Sequence, residues 1–90
     1  MLTEWTITKD FINAGEADGT VGPRDAKMTA AEIANHPQAK RFRMYDDDRV
    51  LYYEGYLVGN DEFAPLYAFG GPNAGCAGIK ILEDGGWVWM

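Results

Sequence analysis

The chain has 90 residues, 14 acids against 8 Lys and Arg, a formal charge of −6, and 47% hydrophobic and 13% aromatic residues. That length bounds it to a single domain, residues 1–90, with a modest core, and that composition excludes global disorder. A net acidic chain without a cluster of Lys and Arg is a poor direct partner for nucleic acid, and no apolar run approaches the ~18–20 residues that cross a bilayer.

The first ten residues, MLTEWTITKD, lack a basic start followed by an apolar core, so no secretory signal is expected. The single cysteine, Cys76, cannot form an internal disulfide. Both features favour a reducing, cytoplasmic setting. Leu2 to Lys9, LTEWTITK, alternates in polarity and reads as a strand. Asn13 to Arg24, with three glycines and a proline, reads as a loop long enough to be functional or mobile.

Thr29 to His36 is the one good helix. Thr29 and Glu32 have the T-x-x-E spacing of a capping box, the alanines favour helix, and Pro37 ends it. Arg41 to Val58 reads as a hairpin. With Asp47-Asp48 at the centre of its turn, Met44 faces Leu51 and Phe42 faces Tyr53 in the core. On the other face Arg41 meets Glu54 and Arg43 meets Tyr52, while Gly55 marks a bulge or a close backbone approach. Asp61 to Asn73 lacks a period and reads as an irregular segment with room for one helical turn, packed over an edge of the core.

Gly78 to Met90 reads as a second hairpin around a type I′ turn at Asp84-Gly85. There Leu82 faces Trp87 and Lys80 faces Trp89; Ile81 and Val88 lie on the opposite side. The predicted fold is α+β: an antiparallel sheet of about five strands, from an N-terminal strand and two β-hairpins, with one short helix.

The glycine-rich stretch FGGPNAGCAGIK, Phe69 to Lys80, invites a phosphate-loop reading. It fails on spacing, because Cys76 rather than lysine follows Gly75, and on context, because Lys80 falls in a predicted strand. The stretch reads instead as a turn leading into a strand, with Pro72-Asn73 as turn chemistry. Cys76 as a nucleophile would need a base, and the only histidine is His36, with no feature linking the two. Asp46-Asp47-Asp48 lacks the alternating acids, glycine and distal glutamate of a calcium loop, and adjacent acids on a tight turn should diverge. It reads as a solvated hairpin tip. No metal, cofactor or catalytic group is assigned, and the chain is read as a non-enzyme.

Two surfaces remain as candidates for binding a partner. Charge is uneven along the chain. Arg24 to Arg43 holds five bases and two acids, whereas Asp46 to Glu62 holds six acids and one base. The acidic block (Asp46, Asp47, Asp48, Glu54, Asp61 and Glu62) could dock a basic surface on another protein. Trp87 and Trp89 are the second candidate, since tryptophan is enriched at binding hot spots, although paired tryptophans in so small a chain are more often core.

The segments FRMYDDD (Phe42 to Asp48), LYYEG (Leu51 to Gly55), FAPL (Phe63 to Leu66), FGGPNAG (Phe69 to Gly75) and the terminal GWVWM resemble a group of short uncharacterised bacterial and phage proteins. The resemblance covers about half the chain and implies phage or mobile-element origin. In two places this sequence differs from that pattern: Arg49 stands where glycine follows the aspartates, and Tyr67-Ala68 stands where acids precede the FG. Size, acidity and the lack of catalytic groups predict a binding protein that docks a host protein with a basic surface and inhibits it, in the manner of an anti-CRISPR or anti-restriction protein. The alternative is an assembly module that self-associates or joins a larger particle.

Overall fold

The computed structural model describes residues 2–90. Its centre is a six-stranded, wholly antiparallel sheet in the order β2-β1-β4-β3-β5-β6. The strands are β1 (Glu4–Asp10), β2 (Val21–Gly22), β3 (Lys40–Tyr45), β4 (Leu51–Val58), β5 (Gly78–Glu83) and β6 (Gly86–Trp89). The α+β class and the short helix agree with the sequence reading. The additional strand is the two-residue β2, which lies inside the segment read as loop and pairs Trp5 with Gly22 and Thr6 with Val21.

Helix α1 (Ala30–Ala34) begins at Thr29 with the predicted capping box: the Thr29 side chain accepts from the Glu32 N–H, and the Glu32 carboxylate accepts from the Thr29 N–H. Its fully buried Ile33 is the helix's anchor. Helix α1 packs against β1 and β4. The segment before it is held by Glu4, whose Oε1 accepts from the Lys27 and Met28 N–H groups at 2.7 and 2.9 Å.

The sheet has two unlike faces. Its inner face carries Trp5 and Ile7 of β1, Phe42 and Met44 of β3, Tyr53 and Leu57 of β4, and Ile79 and Ile81 of β5, all nearly or fully buried. These residues follow the period of two expected of strands with one packed face. A helical segment closes over them, contributing Leu66 to the core, with Phe69 packed against it; Cys76, just past its end, is buried in the same core. The segment starts as a π-helical turn at Leu66–Gly70 and continues as the four-residue α2 (Gly71–Ala74). The first half of the glycine-rich stretch, Phe69 to Ala74, is therefore helical rather than a turn; Gly75 ends the helix in the left-handed conformation at φ 69°, and the stretch then leads into β5 as expected. Gly70 is where this segment touches the sheet: a Cβ there would lie 2.6 Å from the Met44 sulfur and 3.1 Å from Cys76 Cβ.

The first hairpin differs from its predicted register by two residues. Met44 pairs with Tyr53, Phe42 with Gly55 and Arg43 with Glu54. The cause lies at the tip, which is wider than a two-residue turn. The Asp46 carboxylate accepts from the N–H groups of Asp48 and Val50, the Asp46 N–H donates to the Val50 carbonyl, and the ladder is irregular between Met44 and Tyr45. A shift of two keeps side chains on their faces, so Phe42, Met44 and Tyr53 stay in the core while their partners change; beyond the irregularity Leu51, expected opposite Met44 in the core, pairs instead with Tyr45 and lies outside the core cluster. Gly55 is opposite a bulge between Ile7 and Lys9, and a Cβ on it would lie 2.6 Å from the Phe42 ring. The second hairpin has the predicted pairing, Lys80 with Trp89, Ile81 with Val88 and Leu82 with Trp87. Asp84 and Gly85 both take positive φ, 49° and 83°, as a type I′ turn requires.

Candidate functional site

The outer face is covered by α1 only at its β1–β4 end, where Thr6, Ile33 and Val58 are buried outside the main core cluster. Across β3, β5 and β6 it carries cations laid on aromatic rings. The pairing brings Lys9, Glu54, Arg43, Lys80 and Trp89 into one row spanning five strands. Arg43 Nε donates to Glu54 Oε1 at 2.7 Å, and Lys9 Nζ lies 3.9 Å from the other carboxylate oxygen. The Arg43 guanidinium also lies 4.2 Å from the Trp87 ring centroid, with that of Arg41 at 5.6 Å. Lys80 Nζ is 4.6 Å from the Trp89 ring and 5.1 Å from the Tyr45 ring. Tyr45 and Trp89 meet edge to face at 5.0 Å.

This pattern has a local cause. Arg43 and Lys80 are direct cross-strand partners, and like charges in that position repel. Each is drawn away from the other: Arg43 towards Glu54 and Trp87, Lys80 towards Trp89 and Tyr45. Burial works against the Arg43 charge, but the Glu54 carboxylate, with Tyr45 adding to it, more than offsets this and raises the Arg43 pKa above the ordinary arginine value. Among the described residues, Arg41 and Lys80 have no carboxylate within ion-pair distance. They are cations held on aromatic faces with their outward side towards solvent.

The acidic block does not form one surface. Glu54 is consumed by Arg43 and Lys9. Glu62 pairs with Lys40 at 3.6 Å, and Asp61 caps its own turn by accepting from the Phe63 N–H. Asp61 also lines a hollow of about 580 Å³ beside Leu2, Trp5 and Ala64, apart from the hairpin tip. Asp47 and Asp48 are exposed at the tip. Asp46 is engaged in the turn, and the Val50 N–H is the main influence holding its carboxyl below the usual carboxylate range. Contrary to the expectation of divergence, the three aspartates offer carboxylate oxygens within 4.8 Å of one another. One oxygen of Asp46, Oδ1, already accepts two backbone N–H groups.

The two candidate surfaces meet. Asp46, Asp47 and Arg49 share a shallow hollow of about 460 Å³ with Gly78, Trp89 and Met90. Trp89 is the seam: its ring covers Gly78, where a Cβ would lie 3.0 Å away, and 42% of the residue remains exposed. Trp87 is half-buried under the arginines. Neither tryptophan belongs to the core, contrary to the more frequent role of such pairs. The sequence reading missed Arg41, Arg43, Tyr45 and Lys80 as part of this surface. Their alternation with Phe42, Met44, Ile79 and Ile81 was the available signal.

Cys76 is buried beneath the helical segment, and burial, with the Asp46 charge adding to it, pushes its thiol up to about 11. It is therefore a protonated packing group at neutral pH. No protein family, curated protein or solved structure matches the chain.

Proposed function

We propose that the protein is a non-enzymatic binding module whose docking surface is the outer face of β3, β5 and β6 together with the Asp46–Asp48 tip. Trp89 carries this reading, because its ring meets Lys80 and Tyr45 on the cation–aromatic face and also lines the hollow that Asp46 and Asp47 share. Exposed tryptophan, tyrosine and arginine are the residue types that dominate binding energy at protein interfaces. The partner should be a protein with a basic spot facing Asp47 and Asp48, and with acidic or carbonyl groups able to reach Arg41 and Lys80. Small size, net acidity and the resemblance to short phage proteins favour a host protein as the partner and inhibition by occupation as the action.

Affinity capture from a bacterial lysate tests this. A stoichiometric partner should be lost with Trp89→Ala, weakened by Asp47→Asn with Asp48→Asn, and sensitive to salt. Retention of the partner by all of these variants would overturn the assignment of the surface. A second reading, self-association, is favoured by one observation: β6 is an edge strand with β5 as its single neighbour, and unpaired edges recruit strands. It predicts a dimer that depends on Trp87 or Trp89 and is indifferent to salt.

A further inference from the structure

The two edges of the sheet are unlike. At one, β2 is two residues long and is followed directly by Pro23, and both features blunt an edge. At the other, β6 is four residues of regular ladder with no proline, no bulge and no charged residue. We infer that β6 takes up an extended segment of the partner protein as a further antiparallel strand, with a carboxylate side chain opposite Trp89 and an apolar one opposite Val88. This rests on the docking surface proposed above and names how the partner meets it.

The backbone phase of β6 fits this role. The Met90 N–H donates to the Ile79 carbonyl at 3.0 Å. Opposed residues in an antiparallel ladder alternate between bonded and non-bonded pairs. Val88 therefore also turns its backbone groups towards β5, while those of Trp87 and Trp89 point off the sheet. Among the described residues no turn or loop bonds to them. An antiparallel segment would exchange N–H···O bonds with both.

The side chains set the chemistry of that segment. Val88 pairs with Ile81 on the inner face and is 42% exposed on its open side, which an apolar neighbour would cover. On the outer face the Lys80 ammonium stands 4.6 Å from the Trp89 ring centroid, with no carboxylate at ion-pair distance among the described residues. A glutamate opposite Trp89 would lie two strand spacings, ~9–10 Å, from Lys80, a gap that two long side chains span. The Trp89 ring leaves the way open, because it leans back over Gly78. Two positions earlier in the segment, a basic residue would come beside Asp46 and Asp47, which share a hollow with Trp89 and Met90. A second copy of this chain fits less well. Paired symmetrically about Val88, it would set Trp87 opposite Trp89, bring no carboxylate to Lys80 and oppose two net charges of −6.

The probe is the capped peptide Lys-Thr-Glu-Ile-Thr-Lys, titrated into the ¹⁵N-labelled protein, with amide hydrogen exchange read by NMR. The Trp87 and Trp89 amides should exchange fast in the free protein at every concentration, and saturating peptide should slow them ~10-fold or more. Methylating the peptide's glutamate nitrogen, which faces β6, should weaken binding ~10-fold or more; methylating its isoleucine nitrogen, which faces away, should change it less than ~3-fold. Replacing the peptide's glutamate by glutamine should weaken binding ~2–5-fold, and Lys80→Gln in the protein should abolish that difference. No saturable binding, equal loss from the two methylations, or a glutamine effect that persists in Lys80→Gln would overturn the proposal. Protection of both amides that rises with protein concentration without peptide would overturn it in favour of a second copy. A captured partner that is lost with Trp89→Ala, yet leaves the Trp87 and Trp89 amides exchanging fast in the complex, would uphold the docking surface and overturn the added strand.

Discussion

Arg43 and Glu54 face each other across β3 and β4, with Arg43 Nε 2.7 Å from Glu54 Oε1. The glutamate side chain is only 10% exposed and the arginine 31%. Glu54 is the one acid in a row that also contains Lys9, Arg43 and Lys80. Its removal leaves neighbouring cations facing one another. Glu54→Gln should cost roughly 1–2 kcal/mol, since a charge-assisted hydrogen bond is lost but the arginine keeps access to water. A reduced urea midpoint with an unchanged slope would show it, and an unaltered midpoint would contradict it.

Arg49 sits at the hairpin tip with φ 64°, a conformation that side chains other than glycine, asparagine and aspartate adopt reluctantly. The side chain is exposed and forms no ion pair within the described residues. Arg49→Gly should therefore stabilise the protein by about 0.5–1 kcal/mol, the strain relieved outweighing the added freedom of the unfolded chain. Thermal unfolding measures it, and a lowered Tm would refute the account of this turn.

Gly70 lets the helical segment settle on Met44 and Cys76. Gly70→Ala forces a methyl group against the Met44 sulfur and should cost about 1–3 kcal/mol, as overpacking in a small core does. Cys76 reports the same contact. In the native protein at pH 8 it should react with iodoacetamide far more slowly than in urea, because its thiol is buried and pushed up to about 11. Gly70→Ala should accelerate that reaction; fast labelling of the unmodified protein would contradict the packing.

Three carboxyls are held below their ordinary values. For Asp10 burial acts upward, but the N–H groups of Asn13, Ile12 and Ala17 together prevail. For Asp46 the leading cause is the Val50 N–H, and for Glu32 the Thr29 N–H. A depressed folded pKa means that the unfolded chain takes up protons first. The stabilisation is present above the unfolded value of ~4 and is lost as pH falls through the folded value. The urea midpoint should hold from pH 7 to 5 and decline below about pH 4, with a shallower decline in Asp46→Asn. A midpoint that rises on acidification would contradict this sign.

Much of the fold was legible because local chemistry agreed with the tertiary outcome. Thr29 and Glu32 announced the helix start, and Asp84-Gly85 set the second hairpin's register without help from the rest of the chain. The first hairpin was legible by face but not by register. Asp46 recruits Asp48 and Val50 into a wider tip, a competition between side chain and backbone that counting outward from Asp47-Asp48 does not see. The helical character of Leu66 to Ala74 was hidden by its glycines and proline. It is sustained by burial of Leu66 and Gly70 against the sheet, a tertiary effect. At the candidate site the types of residue were visible, but their grouping was not. The acids, read as a block, are separated by the strand order, and the cations meet Trp87 and Trp89 because β5 lies beside β3.

The central claim is the location of the docking surface, and hydroxyl-radical footprinting of the captured complex tests it most directly. Trp89, at 42% exposure, and Tyr67, at 69%, make an internal comparison, because Tyr67 belongs to the helical segment on the other side of the sheet. Binding should protect Trp89 and Tyr45 from oxidation while Tyr67 reacts as it does in the free protein. Protection of Tyr67 with Trp89 unchanged would place the partner on the opposite side and contradict the account.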